Sequence, residues 1–175
     1  MRLDAPLAVG YAATLGRDAL QSAEVINLSR NLVLTGDDLA HVPNCDSAGK
    51  TCTHGLHTIG GGASASSVHR IQYTRVEKCG QRGTLGRYCL HLHLMARCPQ
   101  CLLRGNAIEF GHQRGIVVHG THEAAVTDNV LYDVRGAGLY LEDGNEMANL
   151  LLHNVVICPW AREGPLKGCT VPGTE

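Results

Sequence analysis

Gly105-Asn106-Ala107-Ile108, Gly115-Ile116-Val117-Val118-His119-Gly120, Asp128-Asn129-Val130-Leu131, Gly138-Leu139-Tyr140-Leu141-Glu142-Asp143-Gly144 and His153-Asn154-Val155-Val156-Ile157 follow one another along the chain. Their order repeats. Asn106, Asn129 and Asn154 are spaced by 23 and 25 residues, and His119 and Glu142 each lie 13 residues after the preceding asparagine. Each unit is an asparagine, a short apolar run, a turn and a second short strand. That describes one coil of a parallel β-helix, with each strand stacked about 4.8 Å from its equivalent in the next coil. Aliphatic side chains then point inward and stack. The asparagines form a ladder at a corner, where this residue type tolerates left-handed backbone and bonds to neighbouring main chain. A leucine-rich solenoid needs a consensus that is absent, and an antiparallel sandwich has no need of fixed offsets.

Composition agrees. Among 175 residues, 21 are glycine and only 4% are aromatic, so the core must come from Leu, Val, Ile and Ala between many turns. Hydrophobic residues at 44% and charged residues at 18% exclude a disordered chain. A formal net charge of −1 argues against nucleic acid as a partner bound through overall charge. No apolar run approaches the roughly 18 residues of a membrane span. The first twenty residues carry Arg2, Asp4, Arg17 and Asp18 and no apolar h-region.

Outward from the repeat, the expected organisation is a lead-in segment over 1–23, a β-helix over 24–157 and a tail over 158–175. A short helical option lies near Asp18–Ala23. Strands are expected at Glu24–Ser29 and Leu32–Gly36. Residues 37–67 read as a long flexible loop, because the tract Gly60-Gly-Gly-Ala-Ser-Ala-Ser-Ser67 offers nothing to pack. The overall expectation is an all-β, right-handed parallel β-helix, and a partial one. Of the eight cysteines, Cys45 with Cys52 and Cys158 with Cys169 are placed to close local disulfides. Cys98-Pro-Gln-Cys101 reads as a loop staple, since no thioredoxin-like βαβ pattern surrounds it and no second CxxC follows at zinc-ribbon spacing. Asn27-Leu-Ser29 is a glycosylation sequon.

Longer segments add a family resemblance. Val25-Ile-Asn-Leu-Ser-Arg-Asn-Leu-Val-Leu-Thr-Gly36 resembles the opening coil of the cell-surface and cell-migration-inducing hyaluronidases and of fibrocystin-like proteins. Gly80-Gln-Arg-Gly-Thr-Leu-Gly-Arg-Tyr88 with Leu90-His-Leu-His93 is similar to their "GQ…GRYPIHFH" segment. Val118-His-Gly-Thr-His122, Asp128-Asn-Val-Leu-Tyr-Asp133 and Leu141-Glu-Asp-Gly144 resemble their "IHGTH…NVAYD…FFLEDG" run. Cys89 stands in place of the family's proline and Leu92 in place of its phenylalanine. The resemblance implies a right-handed parallel β-helix in a secreted or membrane-anchored protein. Any anchoring would come from a part of the protein outside this chain.

Strand alternation assigns directions to the polar residues of the repeat. Leu90, Leu92 and Leu94 are expected inward and His91 and His93 outward. Ile116, Val118 and Leu141 are expected inward, with His119 and Glu142 outward on adjacent coils. His91 or His93 is expected beneath His119. The outcome is a surface row with Asp143, His122 and Glu146 at its edge and Asp133 as a further carboxylate. Imidazoles with carboxylates suit a divalent metal, calcium or zinc, with His93 and His119 as ligands. They also suit acid–base work on a sugar chain, which needs two carboxylates about 5–9.5 Å apart. Glu142, Asp143 and His119 are the catalytic candidates; His91, His93, His122 and Asp133 are the ligand-binding ones. Outward positions on a β-helix are polar whatever their role, and a His–Glu stack is also an ordinary neighbour pair. The expected function is an extracellular or cell-surface module binding a polysaccharide or an extracellular protein. The alternative is a glycoside hydrolase depolymerising hyaluronan or a related polysaccharide.

Overall fold

Fifteen short strands and no α-helix make up the described part of the chain. The computed structural model describes residues 14–15, 20–21, 25–37, 53–64 and 66–158. In chain order the strands are β1 (Thr14–Leu15), β2 (Leu20–Gln21), β3 (Leu32–Thr35), β4 (Thr58–Gly61), β5 (Arg70–Gln72), β6 (Thr74–Glu77), β7 (Leu90–Arg97) and β8 (Leu102–Arg104). There follow β9 (Ala107–Gly111), β10 (Ile116–His122), β11 (Ala125–Thr127), β12 (Val130–Val134), β13 (Leu139–Leu141), β14 (Leu150–Leu152) and β15 (Val155–Ile157). β1 and β2 pair antiparallel, so Leu20–Gln21 is extended where the sequence offered a helical turn.

The other strands form three parallel sheets, ordered β13-β10-β7-β4, β14-β11-β8-β5 and β15-β12-β9-β6-β3. Each coil contributes one strand to each sheet, which is the topology of a parallel β-helix. The register stacks like on like. Leu34, Val76, Ile108 and Leu131 make one interior column, continued by the exposed Val156. Ile71, Leu103 and Val126 make a second, continued by the exposed Leu151. Leu90 under Ile116 and Leu92 under Val118 belong to a third. Each fully buried aliphatic in these columns contributes about 1.5–3 kcal/mol.

The asparagine ladder forms as the repeat requires. Asn106 N and Nδ2 both donate to Asn129 Oδ1, and Asn129 N and Nδ2 both donate to Asn154 Oδ1, all at 2.9–3.1 Å. Thr74 takes the next position, its amide donating to Asn106 Oδ1. The left-handed backbone, however, falls one residue earlier than the sequence suggested. Tyr73, Gly105, Asp128 and His153 carry the positive φ, not the asparagines. The ladder side chains need extended backbone to reach along the stack, so the corner turn passes to the residue before. Gly105 fits here because a Cβ would meet the Tyr73 ring at 2.6 Å.

Several expectations are corrected. Residues 25–30 form no strand; Arg30 is instead held across to Gly105 O at 2.7 Å. Asn27 is exposed in a local turn, its Oδ1 accepting from Ser29 N at 2.7 Å. Within the span read as a loop, Thr58–Gly61 is strand β4, paired with Leu90–His93. Its glycines allow close approach rather than looseness: a Cβ on Gly60 would lie 2.5 Å from the His69 ring. Leu94 is 50% exposed with φ 50°, because a register shift in the β7–β10 pair turns it out of the alternation. Leu141 is 41% exposed, since β13 is the outermost described strand of its sheet, whereas Ile116 and Val118 are buried. Cys79 pairs with Cys89 and Cys98 with Cys101. Cys158 is also disulfide-bonded. Cys45, Cys52 and Cys169 lie outside the described residues, as does the tail beyond residue 158.

Candidate functional site

The β7–β10–β13 sheet presents its outward side chains at one place. Register pairs His93 with His119. Glu142 follows directly, its amide donating to Val118 O at 3.0 Å. The row is therefore His93–His119–Glu142, which decides which histidine lies beneath His119. His93 Nδ1 and His119 Nδ1 are 3.1 Å apart. His119 sits between two carboxylates: Nδ1 is 3.5 Å from Glu142 Oε2 and Nε2 is 3.2 Å from Asp143 Oδ2.

His91 points the same way from β7 yet is 0% exposed. The segment between the two cysteines of the Cys79–Cys89 bridge covers it. Its Nδ1 donates to Gly86 O at 3.1 Å, and Tyr88 packs on the ring at 4.8 Å. Burial pushes the imidazole down to about 4. The nearby His93 and His119 push the same way, and the Gly86 carbonyl and Glu142 act against them. His91 is therefore neutral at physiological pH. Its Nε2 is 3.9 Å from Glu142 Oε2.

Glu142 is held by residues the sequence reading did not single out. Tyr88 OH donates to Oε1 at 2.9 Å and Arg114 Nη1 donates to the same atom at 3.2 Å. Arg114 also donates to Tyr88 OH at 3.0 Å and lies over the Tyr140 ring at 3.9 Å. Burial raises the Tyr88 hydroxyl above its ordinary value, so it remains a donor. Tyr88 and Arg114 each stand two residues before the paired positions Leu90 and Ile116. Counting from the asparagine ladder, which aligned His119 with Glu142, does not align them, because the insertion at 81–87 intervenes.

The remaining candidates lie apart from this cluster. His122 Nδ1 accepts from Met147 N at 2.9 Å at the end of β10. Glu146 accepts from Gly120 N and Asp143 N, each at 3.1 Å, and so fastens the turn carrying Glu142 and Asp143. Burial raises its carboxyl, but backbone donors outweigh that and hold it low. Asp133 is buried at the end of β12, in another sheet, 3.3 Å from Arg135. The face thus gathers three imidazoles, two carboxylates, one guanidinium and one phenol, a set able to hold a cation, to bind hydroxyl-rich ligands and to move protons.

Known proteins resemble this chain. It is 31% identical over 163 residues to Fibrocystin-L of Mus musculus and, equally, of Homo sapiens, covering 77% of this chain and 4% of each relative. It is 31% identical over 144 residues to the Homo sapiens protein named Cell surface hyaluronidase CEMIP2, covering 76% of this chain and 10% of that one. The chain thus spans only a small part of the curated relatives it matches. No solved structure matches it. The family model described as CEMIP beta-helix matches residues 53–166, which take in every strand of the three sheets but β3 and every residue of the histidine–carboxylate face, and the chain belongs to that family.

Proposed function

We propose that the chain is an extracellular β-helix module that engages a polysaccharide across the β7–β10–β13 face. One observation carries the reading: Glu142 is fixed by Tyr88 and Arg114 on a face where three histidines converge. A merely solvated surface does not need a half-buried carboxylate locked by a guanidinium and a phenol, since surface polar groups are satisfied by water. Two disulfides, Cys79–Cys89 and Cys98–Cys101, support an oxidising compartment. A relative named as a cell-surface hyaluronidase makes hyaluronan the first ligand to test.

Depolymerisation is the second reading, favoured by the two carboxylates flanking His119. Both are tested with one preparation. Hyaluronan binding is measured by co-sedimentation, and chain length by size-exclusion chromatography. Binding without shortening supports the module alone. Shortening abolished by Glu142→Gln supports catalysis. Equal binding by wild type and a Glu142→Gln, His119→Ala double variant refutes this face as the contact surface.

A further inference from the structure

Two buried atoms of the face have no hydrogen-bond partner: His91 Nε2 and Glu142 Oε2. They are aimed at each other across 3.9 Å, too far for a hydrogen bond. A buried polar atom left without a partner costs about 1–3 kcal/mol, more for a charged group. Beside them lie the two Nδ1 atoms of His93 and His119 at 3.1 Å. Each of the three histidines offers one ring nitrogen, and these atoms all lie within 4.8 Å of one another.

The tautomers point the same way. His91 Nδ1 donates to Gly86 O, which leaves the lone pair on Nε2. His119 Nε2 faces Asp143 Oδ2 at 3.2 Å, which leaves the lone pair on Nδ1. A backbone carbonyl behind one imidazole and a carboxylate behind another are the outer partners that orient metal-binding histidines. The distances fit a small ion. Ligand bonds of about 2.0–2.1 Å in a tetrahedron put donor atoms about 3.3 Å apart. His93 to His119 is 3.1 Å and His119 to Glu142 is 3.5 Å. The approach of His91 must shorten, and so must that of His93 to Glu142.

We propose that His91 Nε2, His93 Nδ1 and His119 Nδ1 bind one divalent d-block cation of the zinc class, with Glu142 Oε2 as the fourth donor. Three nitrogen donors exclude calcium or magnesium as the preferred ion, since those take oxygen ligands. A hydrogen bond between His93 and His119 would satisfy that pair alone and leave His91 Nε2 and Glu142 Oε2 without partners. The cation satisfies all four atoms. His93 and His119 are half-exposed, so the ion has a path from solvent.

The test uses the metal alone, without polysaccharide, so its outcome is separate from that of the glycan reading. The purified chain is stripped with a chelator and titrated with Zn²⁺, and with Co²⁺ as a visible-absorption probe. The expected result is one ion per chain, a four-coordinate Co²⁺ spectrum, and no displacement by millimolar Ca²⁺. Asp143→Asn should weaken binding about 10–100-fold by freeing the His119 tautomer. His93→Gln and His119→Gln should weaken it further, while His153→Ala leaves it unchanged. Circular dichroism confirms that each variant is folded; if a histidine variant is not, Asp143→Asn decides. Failure of the folded wild type to bind one Zn²⁺ would overturn the proposal. So would binding that Asp143→Asn and the folded histidine variants leave intact, or Ca²⁺ displacing Zn²⁺.

Discussion

Asn129→Ala is the most informative perturbation of the fold, because the structure says which groups it strands. Asn129 is 0% exposed and its side chain makes four hydrogen bonds. Oδ1 accepts from Asn106 N and Nδ2, and Nδ2 donates to Leu103 O and Asn154 Oδ1. Two of the partners keep a second bond after truncation. Asn106 Nδ2 still donates to Ile71 O, and Asn154 Oδ1 still accepts from Asn129 N. Asn106 N and Leu103 O lose the side-chain partner. At about 1–3 kcal/mol for each of the two stranded buried groups, the expected loss is about 2–6 kcal/mol. With a urea m-value of about 1–3 kcal/mol/M, the midpoint should fall by roughly 1–2 M. Asn129→Asp should cost at least as much, because it turns a second, charged oxygen toward Leu103 O and Asn154 Oδ1. Asn154→Ala should cost less, since that rung is only half-buried. The assay is urea unfolding followed by far-UV circular dichroism. Equal losses below about 1 kcal/mol at both rungs would refute the ladder as a determinant of stability.

Other outcomes follow from the same geometry. Val118→Asp places an unpaired charge in the interior and should unfold the chain outright, whereas the adjacent outward His119→Ala should cost less than about 1 kcal/mol; similar melting points for the two would overturn the inward–outward assignment. Cys79→Ser with Cys89→Ser opens a loop of sequence separation 10, worth about 2–3 kcal/mol, and should speed amide exchange across residues 80–88; unchanged exchange there would mean the bridge does not hold the cover over His91. Burial lowers the His69 and His112 imidazoles, so the unfolded chain takes up their protons first as pH falls below about 6.5, and stability should decline from there toward pH 5 by at most about 1.4 kcal/mol per unit per group. His112→Gln should flatten that slope, and an unaltered slope of melting temperature against pH would count against it.

The β-helix was legible because every coil meets the same packing problem and meets it with the same residue types. Asparagine at one corner and aliphatics at fixed offsets therefore wrote the fold into the spacing. The His119–Glu142 step was legible for the same reason, since offset is register, whereas the insertion at 81–87 left His91 and His93 both open beneath His119. What escaped the pattern lies where the repeat breaks. β4 was hidden because Gly60 and Gly61 carry no side chain to show alternation. The exposure of Leu94 was hidden because a register shift leaves no mark in the local sequence. The burial of His91 was hidden because its cover is the insertion at 81–87, which belongs to no coil. Tyr88 and Arg114 lie outside the strands, where alternation assigns no direction, and the insertion at 81–87 breaks their common offset.

This contrast also bears on how the face should be read. The inward columns stack like on like, asparagine on asparagine and aliphatic on aliphatic, whereas outward columns such as Glu77–Glu109–Tyr132–Ile157 mix residue types. Identical neighbours are what a solenoid selects when each coil needs only to be stable and to match the next. The outward column Gly61–His93–His119–Glu142 keeps like on like only at the His93–His119 step. Unlike groups in one column gain little as a ladder, because each makes a different bond to a different partner. They gain a great deal as a single constellation, where a carboxylate oxygen, two ring nitrogens and a buried third imidazole share one small volume. The disulfide that fixes the covering segment lies two residues from His91 and encloses Tyr88, so the least repetitive part of the chain is spent on this one place. Stability alone does not account for that concentration, since the same coils could be closed by a short polar turn. A requirement for a fixed arrangement of unlike groups does.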